Sequence, residues 1–337
     1  MQKLLRSNIW WVAVVPQVLG WVYFCILDGT FHFPGQLTAF TFFFLALVTI
    51  SAFGYLFNDL CDVDADKAAG KPNALGKYPF YLRLLLVALI LVIGVFCWWK
   101  VEASLWANIF FTLQLFALVV YSAPPFRLKN KHIFGALTDA FYGHVNPILI
   151  TLLTFGFNIN EGAPEKTTLF IPLVVACTFL KGFRNILLHQ VEDRRNDRRA
   201  GVNTFVIKYG ALFSINLINR LLIVEIMATL AVILNISMVA PPFFVSALIF
   251  IALTYLKFSG WKLSYLPQRQ LRFKFLYFMN DYFEGWMPVW LLVILAVHSP
   301  LFAAILVVHL LLFPSFILKL WKDFKTIREN FKTEEDY

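Results

Sequence analysis

The chain has 337 residues, of which 60% are hydrophobic and only 15% charged, with a mean hydropathy of +0.71 and a net charge of +9. A soluble domain carries roughly half apolar and about a quarter charged residues, so this composition excludes an ordinary soluble globular protein and points to a polytopic membrane protein. In that setting the positive charge belongs to loops beside anionic lipid, and no nucleic-acid partner is expected.

In chain order, Lys3 and Arg6 precede the first apolar run. That run is long and lacks a small-residue cleavage site, so it reads as a retained first span. Runs long enough for a hydrocarbon core of about 30 Å lie near 8–27, 37–57, 80–99, 105–122, 133–154, 168–188, 210–235, 240–258, 276–297 and 301–320. They predict ten spans. The ninth carries Asn280, Asp281 and Glu284 near its start, so nine spans with one re-entrant segment is the alternative. With the N-terminus on the cytoplasmic side, 26 of the 29 Lys and Arg residues fall in inner segments, as the positive-inside rule requires. Of the four cysteines, Cys25, Cys97 and Cys177 lie in apolar runs and none pairs as CxxC with Cys61 or another, so they read as apolar filler.

The second span ends in Asn58, Asp59, Asp62 and Asp66. At helical spacing the three aspartates fall within about 60° of one another, and like charges so close repel unless a cation sits among them. A single such cluster reads equally well as a solvated helix end. A second copy changes that balance. Asp193, Asp197, Ala200, Gly201 and Thr204 repeat the spacing of Asp62, Asp66, Ala69, Gly70 and Asn73, each pair 131 residues apart. Arg198 falls opposite Lys67, and Gln190 where Asp59 stands. The repeat predicts an all-α bundle of two related four-helix halves, spans 1–4 and 5–8, around a central cavity. Gly70-Lys71-Pro72-Asn73 ends the first acidic helix with breaker residues, and Gly201 ends the second.

Between the copies lies the loop Tyr121-Ser122-Ala123-Pro124-Pro125-Phe126-Arg127-Leu128-Lys129. Alone it is a positive-inside loop. Beside two acidic motifs, Arg127 and Lys129 become candidates to neutralise phosphate oxygens, with Tyr121 as a hydrogen-bond donor. The ligands on offer, Asn58, Asp59, Asp62, Asp66, Asp193 and Asp197, present oxygen only, which suits Mg²⁺ held by a few carboxylates plus substrate phosphates. No His/Cys cluster suggests zinc. In the sixth span Lys181, Asn185 and His189 share a face, with Arg184 beside them. They are candidates for donor or acceptor contacts, while snorkelling explains Lys181 and Arg184 equally. Asp139, Tyr142, His144 and Asn146, with Asn280, Asp281 and Glu284, are candidate acceptor contacts.

The motifs Asn58-Asp59-x-x-Asp62-x-x-x-Asp66, Tyr121-Ser-x-Pro-Pro-x-Arg127-Leu-Lys129 and Asp193-x-x-x-Asp197-x-x-x-Gly201-x-x-Thr204 together resemble the UbiA superfamily of intramembrane prenyltransferases, over spans 1 to 7. The resemblance implies a helical bundle around a lipid-open cavity, Mg²⁺, and transfer from an isoprenyl diphosphate to a lipophilic or aromatic acceptor not yet identified. It casts Asp59, Asp62, Asp193 and Asp197 as catalytic, and Asn58, Lys71, Tyr121, Arg127, Lys129, Lys181, Arg184, Asn185, His189 and Gln190 as substrate-binding. Two positions depart from the pattern: Gln190 replaces a usual Asp, and Lys71-Pro72 replaces Arg-Pro, exchanging a bidentate fork for a point charge. A CDP-alcohol phosphotransferase needs an Asp-Gly and an Ala-Arg at spacings absent here. A transporter would hold its acids near the midplane, and a non-catalytic protein binding a cation or phosphate lipid is the remaining rival.

Overall fold

The computed structural model describes residues 7–68, 70, 72–156, 165–199, 201–260 and 276–335, and among them every regular element is helical. Ala69, Lys71 and Ala200 lie outside the described residues. The helices are α1 (Ser7–Leu27), α2 (Leu37–Ala68), α3 (Phe80–Trp99), α4 (Leu105–Ser122), α5 (His132–Ala140), α6 (Asn146–Phe155), α7 (Glu165–Arg199), α8 (Phe205–Tyr209), α9 (Ala211–Val239), α10 (Pro242–Gly260), α11 (Phe278–Asp281), α12 (Met287–His298), α13 (Pro300–Leu312) and α14 (Ser315–Glu335).

Six of these, α1, α2, α3, α4, α7 and α9, contain a stretch long and apolar enough to cross a membrane. Joining α13 to α14 across their 73° bend makes seven. Among the described residues, six or seven of the ten predicted runs thus form single helices that pass by length and composition. The runs at 133–154 and 276–297 are each interrupted by a π-helical turn, Phe141–Val145 and Tyr282–Trp286. Each turn is followed at once by a proline in the next helix, Pro147 or Pro288. Proline lacks the amide hydrogen and crowds the carbonyl four residues back, and a wider turn relieves both.

Inside and outside divide unequally. Two thirds of the α1 apolar window is buried, against 17% for α3. α1 packs on α6, α12 and the second π-turn, whereas α7 packs on α9, α5 and the first π-turn. α3 lies against α2 and presents Leu85, Leu89, Val92 and Phe96 outward. Small residues set the closest approaches, as membrane packing favours. A Cβ on Gly94 would lie 2.6 Å from Ile50 Cδ1, and one on Gly285 only 2.2 Å from the Phe316 ring. Phe316 docks α14 onto the second π-turn, aided by the ion pairs Lys257–Asp323 at 2.5 Å and Lys319–Asp281. Gly285→Ala is therefore expected to cost about 1–3 kcal/mol through overpacking. It should lower the detergent-solution unfolding temperature and speed proteolysis of α14; an unchanged digest would show that Phe316 does not hold the tail.

Candidate active site

The acidic end of α2 is built into a hydrogen-bonded node with the loop that follows α4. Arg127 Nη2 donates to Asp62 Oδ1 at 2.7 Å, and Lys129 Nζ donates to Asp62 Oδ2 at 2.5 Å and to Asn58 Oδ1 at 2.8 Å. Ser122 Oγ also reaches Asn58 Oδ1, at 3.2 Å. Arg127 adopts φ 39°, ψ 54°, a left-handed conformation unfavourable for a side-chain-bearing residue. The Asp62 pair helps hold that backbone, and strain of this kind collects at functional sites. Burial pushes the Lys129 ammonium below the usual lysine range, and its bond to Asp62 opposes that shift. Asp59 is 1% exposed, on the inner side of the helix. Asn73 closes the motif: its Nδ2 donates to the Asp59 carbonyl and to Asp66 Oδ2, both at 2.8 Å, while its Oδ1 accepts from Leu75 N.

The end of α7 repeats the backbone design. Gly70 and Gly201 stand at φ +66° and +67°, and each donates its amide three residues back, to Lys67 and Arg198. Left-handed glycines at these two positions end both acidic helices. The side chains differ. Asp193 and His189 are half exposed and meet at 3.6 Å, Oδ2 to Nε2. Gln190, 7% exposed, turns inward and accepts from Val206 N at 3.4 Å, so it caps the first turn of α8 together with Thr204. Arg194, Arg195, Arg198 and Arg199 line a surface cleft beside Asp193 and Asp197.

One short stretch joins the two ends. Three residues beyond Lys129, His132 N donates to Asn203 O at 3.2 Å, beside Thr204. Farther on, Asp139 accepts from Tyr142 at 2.8 Å and lies within electrostatic reach of Tyr121 and His189. The Tyr121 and Tyr142 rings meet edge to face at 5.1 Å.

Deeper in the bundle, Lys181 and Arg184 form a separate node. Lys181 Nζ donates to Gln17 Oε1 at 2.7 Å and Glu284 Oε1 at 2.9 Å. Arg184 makes four hydrogen bonds: two to the Glu225 carboxylate, one to Leu276 O and one to Asn280 Oδ1. Among the described residues, no three His, Cys, Asp or Glu side chains gather into a group able to hold a metal.

A sequence model of the UbiA prenyltransferase family matches residues 9–281, which takes in both acidic helix ends and the loop between them. The chain belongs to that family. It is 26% identical over 185 residues to a lycopene elongase/hydratase of Corynebacterium glutamicum, covering 52% of this chain and 58% of that one. The chain thus matches little more than half the length of that curated relative. Among solved UbiA folds it resembles a UbiA homolog from Archaeoglobus fulgidus bound to DMAPP and Mg²⁺, with TM-score 0.58 and 18% identity, covering 85% of this chain and 96% of that one. A second neighbour is a digeranylgeranylglyceryl phosphate synthase, with TM-score 0.57 and 17% identity over 86% of this chain and 96% of the other.

Within this UbiA chain the structure brings Asn58, Asp62, Arg127 and Lys129 together, sets Tyr121 against Asp139, and keeps Lys181 and Arg184 in their own node. Lys71 lies outside the described residues. Sequence reasoning passed over Ser122, Gln17 and Glu225. Glu225 carried a signal of its own: a lone carboxylate in a 29-residue apolar helix requires a buried cation.

Proposed function

We propose that this chain transfers an isoprenyl group from an isoprenyl diphosphate to an acceptor dissolved in the membrane, with Mg²⁺ at the acidic helix ends. The observation that carries this reading is the node of Asn58, Asp62, Arg127 and Lys129, linked through His132 to the second acidic helix end. Such a site serves a diphosphate: two cations stand where phosphate oxygens need charge, beside oxygen ligands for a hard metal. Mg²⁺ is ordinarily held by one or two carboxylates plus phosphate oxygens and water, so a preformed cage of three acids is not required. Asn58, Asp62 and Asp66 would hold it at one end and Asp193 and Asp197 at the other, with Asp59 shaping the first helix end from inside. When bound, the metal neutralises charge on the departing diphosphate.

The chain's own groups do the rest. Arg127 and Lys129 turn from Asp62 to the diphosphate oxygens and stabilise the leaving charge. As the C–O bond lengthens, the Tyr121 and Tyr142 rings face the allylic cation and exclude water. The acceptor then attacks C1, forming the new bond as the C–O bond to diphosphate is lost, and gives up a proton to the released diphosphate. In the same reading the chain has nine or ten spans once the two π-interrupted segments and the shorter apolar helix α10 are counted with the six or seven, with its N-terminus and acidic motifs on the cytoplasmic side.

The test is diphosphate release from labelled C5 to C20 and longer donors by the reconstituted protein. Release is expected with Mg²⁺, should stop with EDTA and should return on adding metal. No release from any donor, or release indifferent to EDTA, overturns the reading.

A further inference from the structure

The start of α14 divides around its axis into three sectors. At helical spacing Phe316, Lys319, Leu320 and Asp323 fall on one side, Ile317, Trp321 and Phe324 on a second, and Lys322 and Lys325 on a third. The first sector is docked on the bundle. Phe316 seats against Gly285, Lys319 pairs with Asp281, and Asp323 pairs with Lys257 at 2.5 Å. The second sector is apolar and open: Trp321 is 62% exposed, Phe324 53%, and Ile317 is exposed beside them. The third is cationic, with both lysines exposed. Leu318, also exposed, lies off the apolar stripe beside Lys322.

Two observations place this segment at a membrane face. Its ion pairs tie it to Lys257, which follows the apolar run of α10, and to Asp281, which precedes the apolar run of α12. Charges cost least at the polar margin of a bilayer, so these four groups belong there. The axis also turns by 73° between α13 and α14. α13 exposes Leu311 and Leu312 in its last turn, so its sides are apolar up to the bend. A helix that turns so sharply at the margin runs along the surface. Each sector then meets its own medium, with protein on one side, acyl chains below and water above. The residues suit those media. Indole rings collect at the headgroup level, and lysines beside them reach toward phosphate. Lys325 Nζ lies 5.8 Å from the centroid of the Trp321 ring, a cation–π contact at the border of the two sectors.

We infer that α14 is an in-plane anchor whose partner is the lipid headgroup layer. Ile317, Trp321 and Phe324 dip about 5–10 Å into its boundary with the acyl chains, and Lys322 and Lys325 lie among the phosphates. Such an anchor serves whatever reaction the bundle performs. It also ties the bundle interior to the bilayer surface. Phe316 and Lys319 hold the second π-turn, which carries Glu284, the partner of Lys181.

Trp321 is its own reporter. The full-length protein and Trp321→Phe are reconstituted in nanodiscs of phosphatidylcholine that carries bromine near the headgroup end of the acyl chain, near its methyl end, or not at all. The emission of Trp321 is the difference between the two proteins. Shallow bromine is expected to quench most of that difference, and deep bromine much less of it. A difference untouched by either lipid, as water or a second protein over this face would leave it, overturns the anchor. Quenching strongest with deep bromine also overturns it, because α14 would then continue α13 across the bilayer. Thermal unfolding reports whether Trp321→Phe folds as the wild type does. Should it not, Phe324→Trp adds an indole to the same sector, and the added emission must show the same order of quenching.

Discussion

Replacing Asp62 with alanine is expected to lower prenyl transfer by about 10²–10³-fold, the usual effect of removing one charge-stabilising group from a site of this kind. Asp62 meets both basic residues of the loop, Arg127 at 2.7 Å and Lys129 at 2.5 Å. Its loss removes a ligand of the proposed metal and also the contact that orients both cations. The same change should also cost some stability, because Lys129, 13% exposed, loses one of its two oxygen partners and Arg127 loses its pair, so turnover is compared per folded protein. A folded Asp62→Ala protein that turns over donor within about tenfold of wild type would remove this residue from the chemistry. Unfolding of the variant would instead assign Asp62 a structural role.

Glu225→Ala should behave in the opposite way, destabilising the bundle by about 3–5 kcal/mol because it leaves a buried guanidinium without its counter-ion. Both members of the Arg184–Glu225 pair have no exposed surface. Folded proteins have only about 5–15 kcal/mol in hand, so poor yield and a lower unfolding temperature are expected. The double variant Arg184→Met/Glu225→Met removes both charges and keeps volume, so it should recover most of the loss. Thermal unfolding of the two single variants and the double variant in detergent forms the cycle. A double variant as unstable as the sum of its parts would show that the pair is not coupled.

The two acidic helix ends were largely legible in the residues, because their signals are local. Asp62 and Asp66 recur as Asp193 and Asp197, and both copies end on a glycine whose left-handed backbone the structure shows. Spacing along one helix determines a face, and a glycine after an acidic turn determines an end. Gln190 shows the limit. Its place in the repeat aligned it with Asp59, yet its side chain caps α8, a role set by a helix that begins fifteen residues later. Lys181 and Arg184 show it again: snorkelling and cavity lining fitted equally until Glu284 and Glu225 supplied partners more than 40 residues away.

By itself the sequence determined an all-helical membrane chain, the position of both acidic helix ends and the basic loop that serves them. These follow from composition, from the 3.6-residue period and from turn chemistry, each of which acts over a few residues. Only the tertiary structure decided that α1 is interior while α3, no less apolar, faces outward, that two predicted spans break at π-turns before Pro147 and Pro288, and that the deep charges cancel. Lipid tails and a protein core are equally apolar, so hydrophobicity cannot tell a helix which of them it will meet. Packing between distant segments makes that choice.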